Sequence, residues 1–489
     1  MPFDPTTELS DNVRNRFYIG GNWIESRSSM RHLIVSPATE EAIVEIRLAD
    51  KTDVENAVIA ARFAFDSGPW PKMSGVERSV YLRRLSEEIK QRMPLFARLM
   101  TAQAGAPVSF VKRLIQESPR RFEYFAELAG TYAFEERRPT PRGHARVRRE
   151  PIGVAALIAP WNVTLNVLAL KIPAALAAGC TVVVKSPPDC PFDALLVAEC
   201  AEAAGIPTGV LNVITADREE NAFLVASPHV DKISFTGGVQ AGLQVAAAAS
   251  ERFARVTLEL GGKSAAILLD DAELSVTLPT LAAFSMSFSG QMCVAQSRIL
   301  VPKTRLDEVV DALLSMITKL KIGDPWETDT HVGPVRNERQ RDRVLDYIQK
   351  GIEQGGRVIT GGGRSTGFDK GYYLDPTVFT EVTPTMTIAQ EEIFGPVVAI
   401  MVYDSVHDAV RIANDSRFGL SGTVFSRDQE RAYDVACQIK TGQVSVNGLE
   451  MPASVPFGGY KFSGIGREGG TEGLETYLET KAIFMPGEL

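Results

Sequence analysis

The chain contains few cysteines and few histidines. Its five cysteines are spread over 489 residues, which is too sparse for a disulfide framework. They are Cys180, Cys190, Cys200, Cys293 and Cys437. The five histidines are also scattered, and none has the spacing of zinc ligands. These shortages predict a reduced, cytoplasmic protein that binds no metal.

Long apolar runs and an excess of one charge are also lacking. Residues 1–17 have no apolar core of the kind that a signal peptide needs. The richest apolar stretch, residues 154–184, contains Lys171 and Pro173 at mid-span, where a membrane helix seldom tolerates them. A balance of 52 basic to 60 acidic residues does not favour a nucleic-acid partner. We therefore expect neither a membrane segment nor nucleic-acid binding.

What the chain does have is length and the composition of a globular protein. At 489 residues it is too long for one ordinary core, and 45% hydrophobic with 23% charged residues is a normal globular balance. Two early helices are predicted, over residues 52–65 and 75–93. A highly charged segment, residues 134–150, is too polar for a core. It is either an exposed loop or a strand pair that reaches another subunit.

After Pro151, short apolar runs alternate with amphipathic segments. The predicted strands cover residues 153–159, 181–185, 210–215, 232–236 and 256–260, and the helices between them cover 165–178, 192–204, 219–225 and 239–254. This alternation indicates an α/β fold with a parallel sheet, helices on both faces, and ligands at the carboxyl ends of the strands. A second α/β region, residues 261–462, has predicted helices at 306–320 and 339–354 and a strand at 397–403.

Five short patterns contain residues suited to chemistry. In chain order they are Ala159-Pro160-Trp161-Asn162, Phe235-Thr236-Gly237-Gly238 with Gly242, Leu258-Glu259-Leu260-Gly261-Gly262-Lys263, Gly290-Gln291-Met292-Cys293 and Glu391-Glu392-Ile393-Phe394-Gly395-Pro396. Glycines between a strand and a helix let the backbone approach a pyrophosphate at the positive end of the helix dipole.

Each pattern also has a purely structural interpretation. A lone cysteine such as Cys293 is usually a small buried apolar group. Glu259 could pair with Lys263, and Asn162 could cap the following helix. The glycines after Phe235 could simply shape a tight turn.

Taken together, the five patterns resemble the aldehyde dehydrogenase superfamily, in its NAD(P)-dependent, hydrolytic, non-phosphorylating form. The likeness covers nearly the whole chain and extends to residues 456–461 and 464–468. The separation of 34 residues between Glu259 and Cys293 also fits the family. The implied reaction oxidises an aldehyde to the carboxylic acid through a cysteine thiohemiacetal and a thioester.

The resemblance assigns roles residue by residue. Cys293 corresponds to the nucleophile, Glu259 to the general base and Asn162 to the oxyanion donor, while Lys171 and Glu468 resemble a distal proton-relay pair. The cofactor NAD, with NADP as a possible alternative, is expected to contact Ala159, Pro160, Trp161, Lys185, Gly237, Gly238, Gly242, Glu392 and Phe394. An apolar substrate tunnel is expected from Val163, Leu170, Met292, Val294, Met451 and Phe457. Because none of these six is charged, they predict an uncharged, apolar aldehyde.

Two departures from the family pattern bear on the cofactor. The family often has a glutamate where this chain has Pro188, and that glutamate binds ribose hydroxyls. After Phe-Thr-Gly the family usually has a serine, whereas this chain has Gly238. Both differences weaken the expectation of a strict preference for NAD.

The family likeness also implies how the chain is organised. It predicts two doubly wound α/β domains plus a β oligomerisation arm. Residues 1–127 and 151–260 would form a dinucleotide-binding domain and residues 261–462 a catalytic domain. Residues 128–150 and 475–489 would form the arm of a homodimer or homotetramer.

Two alternatives remain open at this point. A coenzyme A-acylating relative would pass the acyl group to a thiol instead of water, but many such relatives lack the base that Glu259 matches. A binding protein that had lost its chemistry would not need Cys293, Asn162 and Glu259 together.

Overall fold

The computed structural model describes residues 3–487. Its strands are β1 Phe17–Ile19, β2 Asn22–Ile24, β3 Arg31–Val35, β4 Ala42–Arg47, β5 Glu135–Thr140, β6 Gly143–Pro151, β7 Val154–Ile158, β8 Thr181–Ser186, β9 Leu211–Thr215, β10 Lys232–Thr236, β11 Arg255–Glu259, β12 Ala265–Leu268, β13 Arg298–Pro302, β14 Arg357–Thr360, β15 Thr377–Thr380, β16 Val397–Tyr403, β17 Gly422–Phe425, β18 Ser445–Val446, β19 Gly464–Ile465 and β20 Leu478–Pro486.

The α-helices are α1 Pro5–Glu8, α2 Asp11–Asn15, α3 Lys51–Asp66, α4 Gly75–Gln91, α5 Met93–Ala104, α6 Val108–Leu114, α7 Glu117–Thr131, α8 Thr164–Ala178, α9 Phe192–Ala203, α10 Arg218–Ala226, α11 Val239–Ser250, α12 Leu274–Met286, α13 Leu306–Ile317, α14 Glu338–Glu353, α15 Thr387–Gln390, α16 Val406–Asn414, α17 Gln429–Ala436 and α18 Gly470–Glu475. Within residues 3–487, no helix combines the length and apolarity needed to cross a membrane.

The first large sheet has eight strands in the order β19-β11-β10-β7-β8-β9-β1-β2. Strands β7 to β11 run parallel, as the alternating pattern predicts. Successive residues of β7 belong to two different cores: Ala155 and Leu157 pack in one, and Val154 and Ala156 in the other. The sheet is therefore covered on both faces, and its strands are apolar along their whole length.

A second sheet of seven strands has the order β14-β15-β16-β13-β12-β17-β18, and only β14 runs antiparallel to its neighbour. It also separates two cores, with Ile267 of β12 in one and Ala266 in the other. The predicted fold class, with two doubly wound α/β units, is confirmed.

The charged segment forms a strand pair, so the alternative of an exposed loop is wrong. Strands β5 and β6 pair antiparallel, and β20 pairs along the other edge of β6 from Leu478 opposite Pro151 to Pro486 opposite Gly143. Charged side chains suit this sheet because its two outer strands, β5 and β20, expose most of their residues. Residues 488 and 489 of the expected arm lie outside the described residues.

Several predicted element ends shift by a few residues. Helix α4 stops at Gln91 and a new helix begins at Met93, because Pro94 lacks the N–H that would continue the first helix. Helix α11 ends at Ser250 and α13 at Ile317, each a few residues earlier than predicted. The strand at 397–403 is found at the predicted residues.

Candidate active site

The predicted site residues converge where the edges of the two large sheets meet. Asn162 follows the carboxyl end of β7, Gly237 and Gly238 follow β10, and Glu259 ends β11. Cys293 and Glu392 come from the other sheet, a few residues before β13 and β16 begin. The carboxyl edge of one sheet therefore faces the amino edge of the other across the site, and the carboxyl edge is where parallel sheets bind ligands.

A cavity lies at this junction. All six residues predicted for the tunnel line it, together with Cys293 and Glu259. The lining also includes Leu114, Arg121, Asn166, Val167, Thr236, Leu260, Gln443, Pro452, Val455, Pro456 and Glu468. The walls are thus mainly apolar and the six predicted residues are uncharged, but Arg121, Glu259 and Glu468 add charged groups to the lining.

Cys293 is presented by an unusual turn. Phe288, Ser289 and Gly290, just before it, all adopt left-handed backbone angles, with φ of 51°, 55° and 67°. This conformation is costly for residues that have a Cβ and persists only where the surroundings enforce it. The buried Phe288 ring stacks on Phe110, and the Ser289 hydroxyl donates to the Gly333 carbonyl at 2.6 Å. The turn therefore holds the cysteine loop in a fixed position.

Cys293 lines the cavity and is only partly buried. Burial raises its pKa to about 12, and the nearby charges of Glu392 and Glu259 act in the same direction. The backbone N–H groups of Cys293 and Val294 act against this shift. Because Cys293 is only partly buried and borders the cavity, the interpretation of it as a small buried apolar group is wrong.

Glu259 is suited to accept a proton. Both carboxylate oxygens are buried, and neither has a hydrogen-bond partner among residues 3–487. Burial raises the Glu259 pKa well above its usual value, Glu468 raises it further, and Lys171 and Arg467 oppose the shift. The proposed pairing with Lys263 is wrong, because the Lys263 amine is likewise buried without a partner.

Asn162 does not cap the following helix. The Asn162 amide Nδ2 donates instead to the backbone carbonyl of Gln291 at 2.9 Å, and the start of α8 has no side-chain cap. An amide nitrogen carries two hydrogens, so one remains available. Gln291 lies two residues before Cys293, so this bond fixes the orientation of the Asn162 amide close to the cysteine. The second amide hydrogen remains available for another acceptor.

Lys171 and Glu468 form a buried ion pair behind Glu259. The Lys171 amine bonds Glu468 Oε1 and also donates to the Ser234 hydroxyl at 2.8 Å. Ser234 in turn donates to Glu468 at 2.9 Å. Two backbone hydrogen bonds join Glu468 to Phe457 of the cavity wall. Ser234 is a member of this network that sequence patterns did not reveal, because it lies mid-strand.

The predicted phosphate-binding residues surround the start of α11. A Cβ on Gly238 would meet nothing within 4 Å, so the backbone there faces open space. A Cβ on Gly242 would come 2.6 Å from a Leu260 methyl, which gives Gly242 a packing role between helix and strand. Gly237 donates its N–H to the Glu259 carbonyl at 3.1 Å and therefore links the turn to the proposed base.

The other predicted cofactor residues lie around the same junction. Ala159 donates its N–H to the Lys185 carbonyl at 3.2 Å, and Pro160 and Trp161, both partly buried, follow it along the chain. The Trp161 ring meets Phe394 edge-on at 5.8 Å. Phe394 has a left-handed φ of 61°.

Glu392 accepts a hydrogen bond from the Gly262 N–H at 3.0 Å. A Cβ on Gly261 would lie only 2.3 Å from the Glu392 carboxylate. Glycine is therefore required for this approach. Among the described residues, no group of three or more histidine, cysteine, aspartate or glutamate side chains is arranged to hold a metal.

The segment after β8 contains Pro188, which replaces the glutamate that is common in the family. Ser186 is fully buried and its hydroxyl lies 2.8 Å from the Thr215 hydroxyl, so it is not free to contact a ligand. Asp189 is held by His32 at 3.1 Å and by Arg336 at 3.4 Å. These contacts outweigh burial and lower the Asp189 pKa. Burial lowers the Lys185 pKa to about 8.

Sequence reasoning missed several polar residues of the cavity wall. Arg121 lies in α7, Thr236 ends β10 and Gln443 lies in the loop before β18. The Thr236 hydroxyl and the Gln443 side-chain carbonyl are both buried without a partner. Thr236 belongs to the Phe235-Thr236-Gly237-Gly238 pattern, whereas no local pattern marks Arg121 or Gln443, which reach the cavity only through the packing of distant elements.

Comparison with known proteins places this geometry in a family. A model of the aldehyde dehydrogenase family matches residues 23–483. A geranial dehydrogenase from Castellaniella defragrans is 41% identical over 474 residues, which cover 96% of this chain and 98% of that protein.

Solved structures agree. An aldehyde dehydrogenase of Mycobacterium tuberculosis, in complex with NAD⁺, has a TM-score of 0.95 and 41% identity, covering 96% of this chain and 98% of that one. A variant of aldehyde dehydrogenase C from Pseudomonas syringae, in complex with NAD⁺ and octanal, has a TM-score of 0.94 and 39% identity, covering 98% and 99%. With a cavity that joins a cysteine thiol to an unpaired glutamate, and relatives that match from end to end, this chain belongs to the aldehyde dehydrogenase family.

Proposed function

We propose that this protein uses NAD⁺ to oxidise an aldehyde, whose chain next to the reacting carbon is apolar and uncharged, to the carboxylic acid. The observation that carries the proposal is the shared cavity of Cys293 and Glu259, with the Asn162 amide fixed against the backbone beside them. The octanal-bound relative and the geranial dehydrogenase support an apolar chain.

In the first step, Cys293 Sγ bonds to the aldehyde carbon and the thiol proton passes to the Glu259 carboxylate. A base is needed because burial keeps the thiol protonated. The aldehyde oxygen becomes an oxyanion. The free N–H of the Asn162 amide and the backbone N–H of Cys293 stabilise it, and loss of one such donor typically costs about 3–4 kcal/mol.

Residues of both sheets fit a dinucleotide. Open space at Gly238 admits a pyrophosphate at the start of α11, Lys185 would contact the adenosine ribose, and Glu392 with Phe394 would hold the nicotinamide half. The bound cofactor supplies the hydride acceptor. Trp161 and Phe394, which meet edge-on, would enclose that end and limit the access of water.

In the second half of the reaction, Glu259 has released the thiol proton towards solvent and accepts a new proton from a water molecule, whose oxygen attacks the thioester carbon. The carbon–sulfur bond breaks, the acid leaves and the Cys293 thiolate recovers a proton. The buried pair of Lys171 and Glu468, with Ser234, provides a hydrogen-bonded path behind Glu259. Because Glu259 is present and unpaired, water is favoured over coenzyme A as the acyl acceptor.

We also propose that the three-stranded sheet is an oligomerisation arm and that the two large sheets define a dinucleotide-binding and a catalytic domain with the boundaries given above. Strands β5 and β20 are both edges of the small sheet, so each exposes backbone groups that a second subunit can pair with. A homodimer or homotetramer is expected.

The test is an aldehyde-dependent rise in reduced-nicotinamide absorbance with octanal and NAD⁺. Cys293→Ala should abolish this rise while dinucleotide binding, measured by calorimetry, persists, because the thiol is not a major cofactor contact. Turnover of the variant near the wild-type rate would contradict the assignment of the nucleophile. Analysis of the product with and without added coenzyme A distinguishes the free acid from an acyl thioester.

A further inference from the structure

The wall of the substrate cavity contains one buried arginine. Arg121, in the second turn of α7, is only 5% exposed and lines the same cavity as Cys293. Burial lowers its pKa to about 10, so the guanidinium remains charged at neutral pH. Around it the cavity is lined by apolar side chains, among them Leu114, Val167 and Met451.

The protein satisfies this guanidinium only in part. One Arg121 Nη donates to the Asn166 carbonyl at 2.7 Å, and the other reaches the Met451 carbonyl at a weak 3.4 Å. Arg121 Nε is buried without any partner. Within residues 3–487 no carboxylate forms an ion pair with Arg121, and the charges of Glu117 and Glu468 act on it only from a distance.

A buried cation without a counter-ion is costly unless another group solvates it. Arg121 keeps unused N–H donors while it borders a cavity built to hold a ligand. A guanidinium matches oxygen acceptors, and it matches a carboxylate best because two parallel hydrogen bonds then form and the charge is neutralised.

We propose that Arg121 binds an oxygen acceptor at the far end of the aldehyde substrate and that a carboxylate is the acceptor it holds best. The substrate class is then an ω-oxo carboxylate, in which an apolar chain separates the aldehyde at Cys293 from the acid at Arg121. This inference rests on the proposed function, because it requires the aldehyde carbon to be bound at Cys293. It revises the expectation of an uncharged substrate, which considered only the apolar tunnel residues.

A purely structural role for Arg121 makes a different prediction. By bonding Asn166 of α8 and Met451, the arginine could serve only to clamp the Met451 loop to the helix. Loss of such a clamp would affect every aldehyde alike, whereas loss of a substrate contact affects only aldehydes that carry the acceptor. The ratio of kcat/KM between two substrates therefore separates the roles.

The experiment measures kcat/KM with NAD⁺ for n-alkanals, ω-hydroxyaldehydes and ω-oxo carboxylates of matched chain lengths. The wild type should prefer the ω-oxo carboxylate at one optimal length. In Arg121→Met the ratio of ω-oxo carboxylate to alkanal should fall roughly 10- to 100-fold, the usual effect of losing a hydrogen bond to a charged group. Arg121→Lys should retain part of the preference, because it keeps the charge but not the planar fork.

Arg120→Met is the matched control. It removes the same charge from the preceding position of α7, where Arg120 is exposed and paired with Glu117 at 2.6 Å. Its substrate ratio should equal that of the wild type. If the ratio of kcat/KM for the ω-oxo carboxylate to that for the alkanal shifts as much in Arg120→Met as in Arg121→Met, a specific contact between Arg121 and the substrate is contradicted.

An unchanged ratio in Arg121→Met would overturn the proposal, whatever the absolute rates. Should that variant fail to fold, inhibition of alkanal oxidation in the wild type replaces it: dicarboxylates should inhibit more strongly than monocarboxylates of equal length, and equal inhibition contradicts the proposal. If kcat/KM relative to the alkanal rises as much for ω-hydroxyaldehydes as for ω-oxo carboxylates, the preference for an acid is refuted. Absence of alkanal oxidation by the wild type would instead contradict the proposed function itself.

Discussion

Glu259 has an environment unlike that of an ordinary glutamate. Both of its oxygens are buried and lack a partner within the described part of the chain, so a molecule in the cavity can bond to them. Glu259→Gln should slow steady-state turnover by roughly 10²- to 10⁴-fold, because the amide cannot accept a proton from water. If deacylation is the affected step, intact-mass measurement after mixing with aldehyde and NAD⁺ should show an acyl adduct on Cys293.

Two outcomes would change this assignment. If acylation is lost in equal measure, Glu259 acts mainly on the thiol, and if turnover is unimpaired it has no place in the mechanism. Glu251→Gln, an exposed glutamate at the end of α11, is the matched control and should behave as the wild type.

The buried ion pair behind Glu259 predicts two pH shifts of opposite sign. Burial is the main cause of the raised Glu259 pKa, the charge of Glu468 raises it further and the charge of Lys171 lowers it. Activity should fall as pH drops through this raised pKa, because the base becomes protonated. In Glu468→Gln the acid limb of the rate profile should move to lower pH, and in Lys171→Met it should move to higher pH.

The readout is the apparent pKa of the acid limb of kcat, not the rate itself. Breaking a buried pair typically costs about 3–5 kcal/mol of stability, so both variants are expected to be less stable and less active. If the ion pair were merely structural, both variants would lose activity, but the acid limb would not move in opposite directions in the two variants. Shifts of the same sign in both variants would contradict the electrostatic argument.

At the scale of a single element, we expect the segment after β8 to influence the choice between NAD⁺ and NADP⁺. In the family a glutamate at the position of Pro188 would repel the 2′-phosphate of NADP, and proline does not. Asp189 cannot take its place easily, because His32 and Arg336 hold it. Lys185 lies three residues before Pro188 in the chain, whereas the buried Ser186 hydroxyl is hydrogen-bonded to Thr215. We therefore expect NADP to be tolerated better than in relatives that carry the glutamate.

The measurement is kcat/KM for NAD⁺ and NADP⁺ in the wild type and in Pro188→Glu. The variant should move the selectivity toward NAD⁺. Pro188→Ala separates charge from backbone, since any replacement of proline also frees the φ angle. A selectivity that stays constant in Pro188→Glu, or that moves equally in Pro188→Ala, would contradict the charge argument.

At the scale of the whole molecule, the three-stranded sheet has exposed apolar side chains that the cores do not use. Phe484 of β20 is 74% exposed, beside the partly exposed Ile483 and Met485. Such a row on an edge strand is a site for pairing with another chain. Phe484→Asp should lower the molar mass that light scattering reports during size-exclusion chromatography, by weakening the subunit contact.

The matched control is Phe63→Asp, which alters a 70% exposed phenylalanine on α3, outside the three strands. It should leave the molar mass unchanged. A wild type that is monomeric at micromolar concentration, or a Phe484→Asp protein of unchanged mass, would remove the arm from the assembly.

The sequence by itself determined the alternating α/β order, the two doubly wound sheets and the patterns around Cys293, Glu259 and Asn162. Those features depend on local periodicity and on short motifs, both of which are formed by residues that are neighbours in the sequence. The six residues expected for the substrate tunnel all line the cavity, because the family resemblance transfers positions along an aligned chain.

Only the tertiary structure decided which groups meet across the site. Arg121, Ser234 and the left-handed turn at Phe288 have no signal in the sequence, and the alternative pairing of Glu259 with Lys263 was excluded only by their positions. The physical reason is that a charge's partners, and hence its pKa and its role, are set by residues that are far apart along the chain. Arg121 shows this directly: adjacent to a similar, exposed arginine in sequence, it differs because α7 turns it into the cavity between α8 and the Met451 loop.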